Sequence, residues 1–279
     1  MAGNAPDLLS VVLSLRPVQR AESLPHVGTA AQAIMLQALQ RHDAALATEA
    51  HSESGPRPYT VSGLIGYSRR VGVDPQRTYA LRLTALTSQT VQALSSAAGP
   101  GGDLAAGSDI TLAEQEFSIE SAATSAEEHP WAAATSYEHL SAPWLLGHEQ
   151  PPARVELHFA SPTTFKSGGL HVPVPLPGLT FGSLLDRWNA FAPVALPAEA
   201  RRFAEKCLAM SRYNLRSRAV RIMQGSVRIG AAGRARYSAI NRDRYWLCVV
   251  NLLADFALFS GVGAGTTMGL GQARRYSEP

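Results

Sequence analysis

A glycine-rich loop near the end of the chain has the composition that most clearly suggests chemistry. It follows a predicted helix, leads into the last predicted strand, and places five glycines within eleven residues: Gly261, Gly263, Gly265, Gly269 and Gly271. Backbone without Cβ atoms approaches phosphates closely, and successive N–H groups can form anion-binding concavities. The loop lacks both the strand-to-helix order of a dinucleotide fingerprint and the Gly-Lys-Ser/Thr ending of a Walker A loop. We therefore predict contact with a phosphate backbone, with a plain connecting turn as the alternative.

Arginine supplies 23 of the 25 basic residues, and it is concentrated in one segment. Residues 201–244 carry a local charge of +10 in a chain whose formal charge is only +3, whereas residues 101–150 contain nine acids and no lysine or arginine. Guanidinium forks match phosphate geometry, so this asymmetry predicts a polyanionic partner such as RNA. A solvated basic surface without a partner is the alternative. Besides the five glycines, the predicted RNA-binding residues are Arg212, Arg216, Arg218, Arg221, Arg228, Arg234, Arg236 and Arg274.

Histidine is the side chain best suited to move a proton near neutral pH, because its reference pKa is about 6.5. Three of the eight histidines, His26, His42 and His51, lie on or beside the first predicted helix. We expect the other five to be structural: His129, His139, His148, His158 and His171. Neither the two cysteines nor any His/Asp/Glu group has metal-ligand spacing, so the sequence predicts no metal site and no cofactor.

The elements that position these residues repeat one order twice. The first half predicts strand 8–18, helix 29–47, strands 59–65 and 77–86, helix 88–96 and strand 110–119. The second half predicts strand 153–159, helices 181–191 and 197–210, strands 213–223 and 226–238, helix 242–259 and strand 270–276. Apart from one extra helix, each half reads β-α-β-β-α-β. This order predicts an α+β fold of two tandem ferredoxin-like, RRM-like domains at residues 1–145 and 150–279, with an irregular or partly helical linker near 121–152.

Composition limits the class of protein. With 46% hydrophobic and 17% charged residues, the chain is expected to be globular rather than disordered, fibrous or a coiled coil. Its longest apolar stretch is interrupted by Asn251 and Asp255, and its first residues carry no positive charge ahead of the apolar ones. The sequence therefore predicts neither a membrane span nor a signal peptide, and a reducing cytoplasm is the expected location.

Several motifs together resemble one family. The glycine-rich loop is similar to the G-h-G-x-x-x-x-x-G-h-G signature (h, apolar) of the repeat-associated RNA-binding superfamily of CRISPR systems. Further matches are 161–165 with Gly168-Gly169, 173–177 and 181–189 in the second half, and 51–53 with 58–64 in the first. Within the superfamily, the chain most resembles the endoribonucleases that cut CRISPR repeat RNA. It departs from them in the middle of the loop, where a lysine or arginine is usual and Arg274 or Arg275 would substitute.

The resemblance implies two ferredoxin-like domains and metal-independent RNA cleavage. The ribose 2'-OH would attack its own 3'-phosphate and leave a 2',3'-cyclic phosphate. His51 matches the family's catalytic histidine, with His42 and His26 as alternatives, and Arg57 stands where some relatives have a lysine. Those relatives also use a tyrosine on the first helix, for which Tyr59 or a serine would substitute.

The same resemblance implies CRISPR repeat RNA as partner, with a CRISPR effector complex as a further candidate, and a monomer or homodimer without a membrane partner. Two other functions stay open at this point. One is a non-catalytic RNA-binding subunit of an effector complex, which would not need a histidine. The other is an enzyme acting on a small-molecule phosphate, although the highly basic segment favours a longer polyanion.

Overall fold

The computed structural model describes residues 5–52, 55–222 and 226–277. The chain forms two compact units. The first comprises Met1–Thr135, Arg221–Ser226 and Thr267–Gly269, and the second comprises Ser136–Val220, Val227–Thr266 and Leu270–Pro279. None of the described helices is long and apolar enough to cross a membrane.

The first unit is built on an antiparallel sheet with helices packed against one face. Its elements are β1 (Leu8–Pro17), α1 (Gly28–His42), α2 (Ala44–Ser52), β2 (Tyr59–Val61), β3 (Tyr79–Ala85), α3 (Ser88–Ala98), β4 (Asp109–Leu112), β5 (Gln115–Ala123) and β6 (Ala133–Thr135). The strand order is β2-β3-β1-β5-β4, and β6 pairs with β1. β2-β3-β1-β5 is the order of the split-βαβ motif, with β4 added at the edge.

Local sequence explains the main elements of this unit. β1 reads LLSVVLSLRP and is almost entirely buried, because it is paired on both sides. Leu13 and Leu15 of β1 share one core with Met35 and Leu39 of α1, which recur at helical spacing. At α3, Thr87 and Thr90 form a capping box that satisfies the first free backbone donors.

The second unit repeats the arrangement. Its elements are α4 (Tyr137–Leu145), β7 (Arg154–Thr163), β8 (Phe165–Ser167), β9 (Leu170–Val172), α5 (Pro177–Phe191), α6 (Glu199–Cys207), β10 (Leu208–Arg221), β11 (Val227–Ala239), α7 (Arg244–Ser260) and β12 (Ala273–Arg275). The main sheet has the order β10-β11-β7-β12. When the four strands are numbered in the order in which they occur along the chain, this sheet has the same strand order as the split-βαβ motif of the first unit. The predicted α+β fold of two tandem ferredoxin-like domains is confirmed.

Several predicted boundaries are wrong for local reasons. The predicted helix 29–47 is two helices, because the backbone is extended at Asp43. The predicted strand 110–119 is the hairpin β4–β5, which turns at Ala113 and Glu114 with φ of 50° and 70°. The predicted linker contains β6 and α4, and α4 begins where the Ser136 hydroxyl accepts the His139 N–H. Strand pairing and helix capping determine where these elements end, and the spacing of apolar residues alone does not show these ends.

Candidate functional site

The spacing of the glycine-rich loop is explained by its backbone. Gly261, Gly263, Gly265, Gly269 and Gly271 all have positive φ, between 60° and 85°. Four of them also approach other backbone closely, two of them most tightly. A Cβ at Gly263 would lie 2.4 Å from the Thr164 carbonyl oxygen, and one at Gly271 would lie 2.1 Å from that of Val262. Glycine is therefore required here by backbone conformation and by packing.

Three of the loop's glycine N–H groups are engaged within the protein. Gly261 donates to the Ala257 carbonyl, Gly271 to the Pro162 carbonyl and Gly263 to the Ser183 hydroxyl. These bonds would have to break before the same groups could reach a phosphate. Any direct contact between the loop and RNA would therefore use its other backbone groups or the residues around it.

Arg187 on α5 is a loop-positioning residue that the sequence analysis did not single out. Its guanidinium donates to the Gly263 carbonyl at 2.6 Å and to the Thr266 hydroxyl at 3.2 Å, and it also contacts Ser183 one turn earlier on the helix. Burial lowers the pKa of Arg187 to about 10, so the group stays charged at neutral pH. The sequence signal was the Ser-x-x-x-Arg spacing inside the 181–189 motif, which places both side chains on one helix face.

His26 lies against the part of the loop that belongs to the first unit. Its Nε2 is 2.6 Å from the Met268 carbonyl oxygen, and a Cβ at Gly269 would lie 3.1 Å from its Cε1. A carbonyl oxygen only accepts, so Nε2 carries the proton, and in the neutral imidazole Nδ1 is the proton acceptor. The half-buried ring is thus held in one tautomer at the start of α1.

The other two candidate histidines, His42 and His51, lie at the C-terminal ends of α1 and α2. His42 is the last residue of α1 and is exposed, beside the ion pair that Arg41 and Asp103 form. His51 lies in the last turn of α2, beyond the end of the predicted helix 29–47, and its side chain is outside the described residues.

Arg57 and Tyr59 form the cationic and phenolic part of the candidate site. Arg57 is half-buried, and its Nη1 has no hydrogen-bond partner within the described part of the chain. Tyr59 is buried, and its hydroxyl accepts a bond of 3.2 Å from the Gln32 side chain of α1. Burial raises the pKa of Tyr59, and the Gln32 bond and the Arg57 charge oppose that shift. Tyr59 is therefore neutral near pH 7.

The predicted RNA-binding arginines are carried by three strands of the second sheet. Arg212, Arg216, Arg218 and Arg221 belong to β10, Arg228, Arg234 and Arg236 to β11, and Arg274 to β12. All four on β10 are exposed. Arg236 differs because its Nε lies 2.7 Å from the Glu156 carboxylate, which offsets its charge.

Arg275, one of the two residues predicted to substitute for the loop's missing basic residue, is bonded to α7. Its guanidinium contacts the Asp255 carboxylate and donates to the Asn251 carbonyl and side chain at 2.6 and 3.0 Å. No group of three or more His, Cys, Asp or Glu side chains in the described ranges could hold a metal ion.

Comparison with known proteins finds similarity to one family. The family model for CRISPR-associated endoribonuclease Cas6 matches residues 157–273. The product complex of Cas6 TTHB231, a Thermus thermophilus protein, covers 98% of this chain and 100% of its own at 26% identity, with a TM-score of 0.77. The product complex of Cas6 TTHA0078 covers 97% and 99% at 26% identity, with a TM-score of 0.76.

A more distant match shows the fold alone. The product of a Cas6-related gene from Pyrococcus furiosus has a TM-score of 0.62 at 11% identity, covering 98% of this chain and 100% of its own. A search of curated proteins finds no match. The chain is thus similar to CRISPR-associated endoribonuclease Cas6 over most of its second half, by the family model, and to Cas6 structures over nearly its whole length.

Proposed function

We propose that this chain cleaves CRISPR repeat RNA in the primary transcript to release guide RNAs, without a metal ion, by attack of a ribose 2'-OH on the adjacent phosphate. The observation that carries the proposal is the similarity to two Cas6 product complexes, which extends over 97–98% of this chain. In the reaction, the 2'-oxygen forms a bond to phosphorus and the bond to the 5'-oxygen breaks. The products are a 2',3'-cyclic phosphate and a 5'-hydroxyl.

The chemistry needs a group that takes the 2'-OH proton, one that protonates the leaving 5'-oxygen, and a cation that stabilises the charged phosphorane. His51, with His42 as alternative, is the proposed acid–base residue, and Arg57 is the proposed cation. The buried Nη1 of Arg57, which has no partner among the described residues, supports that assignment. Tyr59 is neutral, and because its hydroxyl accepts the Gln32 bond, its own O–H proton can be donated to a phosphate oxygen.

His26 is the histidine for which the geometry supplies a chemical argument. Its Nε2–H is used by the Met268 carbonyl, so the lone pair of Nδ1 is available to accept a proton. A histidine whose second nitrogen donates to a backbone carbonyl keeps one tautomer and one orientation. We therefore include His26 with His51 among the candidate proton-transfer residues.

The first experiment tests the chemistry with the unmodified protein. We expect cleavage of a synthetic repeat RNA at one position in EDTA, leaving a 2',3'-cyclic phosphate, and no cleavage when the scissile nucleotide is 2'-deoxy. Cleavage of the deoxy substrate would exclude attack by the 2'-OH. Cleavage that requires added Mg²⁺ would exclude the metal-independent mechanism.

The second experiment separates two roles of His26. His26→Gln keeps a side-chain N–H for the Met268 carbonyl but cannot take a proton, whereas His26→Ala removes both. If His26 transfers a proton, both variants lose cleavage and keep RNA binding. If it only positions the loop, His26→Gln cleaves like the unmodified protein.

If the alanine variants at His26, His42 and His51 all cleave normally, the histidine mechanism is wrong. If the unmodified protein binds repeat RNA and never cuts it, the non-catalytic binding subunit is the better description.

A further inference from the structure

A short hairpin beside the glycine-rich loop presents two basic side chains on one face. β8 and β9 are joined by Gly168 and Gly169, which both have positive φ, as a two-residue type I′ turn requires. Lys166 of β8 is paired directly with His171 of β9. Side chains of directly opposed residues in an antiparallel pair stand on the same face, about 5 Å apart. Both side chains are exposed.

The opposite face of this hairpin is anchored within the second unit. Phe165 is buried, and a Cβ at Gly263 would lie 3.4 Å from its ring. The Thr164 carbonyl, at the start of the hairpin, accepts the Ala264 N–H at 2.7 Å. Since successive strand residues point to opposite faces, Lys166 points away from the side on which Phe165 is buried. The hairpin therefore holds its two basic side chains toward solvent on a fixed base.

Arg228 of β11 lies at the same end of the sheet. The pairing of β11 with β7 ends at Ala231 and Thr163. Arg228 comes three residues before Ala231, and Lys166 comes three residues after Thr163, so the antiparallel arrangement brings the two side by side. Desolvation, with the positive charges of Arg228 and Lys166, lowers the pKa of His171, so its ring is neutral at pH 7. These three residues form the hairpin cluster.

The positive charge of the hairpin cluster has no carboxylate to offset it among the described residues. Residues 157–185 and 206–242, which carry the cluster, contain no Asp or Glu. The ion pairs within the described part of the chain involve other side chains, such as Arg236 with Glu156 further along the same two strands. Like charges placed opposite one another are destabilising, so an anion bound at the cluster would relieve the repulsion.

We propose that Lys166, His171 and Arg228 bind one phosphodiester group of the repeat RNA beside the glycine-rich loop. A guanidinium fork can donate to both non-bridging oxygens, the ammonium adds a second charge, and the neutral imidazole adds one N–H. The proposal rests on the proposed function for its ligand. It extends the RNA-binding residues to Lys166 and to His171, which the sequence predicted to be structural.

The lysine content of the chain allows a direct test on the unmodified protein. Lys166 and Lys206 are its only lysines, both are exposed, and the Lys206 ammonium of α6 lies 3.3 Å from the Glu205 carboxylate. An amine-acetylating reagent is applied with and without repeat RNA that is 2'-deoxy at the scissile nucleotide, and mass spectrometry gives the acetylation rate of each lysine. We expect RNA to slow acetylation of Lys166 several-fold and to leave Lys206 nearly unchanged. No protection of Lys166, or equal protection of both lysines, would overturn the proposal.

Affinity measurements use a charge-matched control. Lys166→Gln/Arg228→Gln removes two charges from the hairpin cluster, and Arg69→Gln/Arg70→Gln removes two from exposed positions of the first unit. We expect the cluster variant to bind repeat RNA roughly 5- to 50-fold more weakly than the unmodified protein, with a salt slope shallower by about 0.7, and the control to lose much less. A thermal melt shows that each variant is folded. A cluster variant that binds like the control would overturn the proposal while leaving RNA binding by the protein intact.

A third readout does not depend on RNA. Inorganic phosphate is titrated into the full-length protein while the His171 ring signal, identified by its loss in His171→Gln, is followed by NMR. A shift of that signal that disappears in Lys166→Gln/Arg228→Gln supports an anion site even if repeat RNA fails to bind, in which case the proposed function fails separately. The absence of any shift at tens of millimolar phosphate would overturn the hairpin cluster as an anion site.

Discussion

At the residue scale, the histidine rings that the structure describes have different surroundings. His26 is tied to a backbone carbonyl, His42 is exposed at a helix end, and His158 stands between two arginines. Because a histidine ring serves as acid, base or neutral donor according to its neighbours, the environment of each ring decides what it can do. Two predictions follow from individual rings.

His51→Ala should lower the single-turnover cleavage rate by roughly 10²- to 10⁴-fold and leave affinity for repeat RNA nearly unchanged. A proton is transferred only during reaction, so its loss affects the transition state and not the bound ground state. Single-turnover cleavage and gel-shift affinity on the same variant give both quantities. Cleavage at the unmodified rate would move the role to His42 or His26.

His158 should make the folded state less stable as pH falls below about 6.5. Its folded-state pKa is lowered by burial and by the charges of Arg274 and Arg234. The unfolded chain therefore binds more protons in this window, and stability rises with pH. Urea unfolding at about pH 5.5 and 7.5 measures the difference, which should be smaller in His158→Gln. An equal difference in both proteins would show that other groups cause it.

At the element scale, the glycine-rich loop is held by bonds from several directions. Arg187 of α5 donates to the Gly263 carbonyl, the Thr164 carbonyl accepts the Ala264 N–H, and the Pro162 carbonyl accepts the Gly271 N–H. The glycine spacing of this loop is thus explained by its backbone conformation and packing. Loop glycines would then affect RNA cleavage mainly by keeping the loop's shape.

Gly263→Ala should destabilise the protein by more than about 2 kcal/mol, because a left-handed backbone costs about 1–2 kcal/mol and the Cβ clash adds to it. Gly168→Ala is the matched control: Gly168 has a φ of 56°, and a Cβ there would have nothing within 4 Å. Comparing the two unfolding free energies separates backbone strain from close approach. Equal losses would mean that the Thr164 carbonyl moves aside and that packing does not require glycine at 263.

At the scale of the whole molecule, positive charge is concentrated on the strands of the second sheet. The segment 201–244, with a charge of +10, spans α6, β10 and β11 and reaches the start of α7. Arg216 and Arg218 alternate with Ser217 on β10, so both stand on the same face of the strand, and both are exposed. Such a distribution attracts a phosphate backbone whatever its base sequence.

Affinity for repeat RNA should fall steeply with salt, with log K decreasing against log[salt] by about 0.7 for each single-strand phosphate neutralised. Arg216→Gln/Arg218→Gln should flatten this slope by about 0.7 to 1.4. Filter-binding measurements at four or more salt concentrations would determine it. A slope equal to that of the unmodified protein would place the RNA away from this part of β10.

Sequence alone determined the class of fold and the family resemblance. The apolar periods that build β1, α1 and α7, and the order in which the elements recur, are local properties of the chain, and local patterns are what a sequence displays. The glycine spacing was also visible in the sequence, because backbone positions with positive φ favour glycine over other residue types. The interruption at Asp43 and the hairpin at Ala113 and Glu114 were missed, since neither position carries glycine or proline to mark the break.

Tertiary structure alone decided which distant side chains meet. His158, Arg234 and Arg274 are separated by up to 116 positions and become neighbours only through strand register. His26 reaches Met268 across an even longer interval, and Arg275 contacts Asp255 of α7. Such contacts depend on how strands pair and helices pack, which no local period encodes. A residue's type limits its chemistry, whereas its neighbours in the fold decide its protonation and its partner.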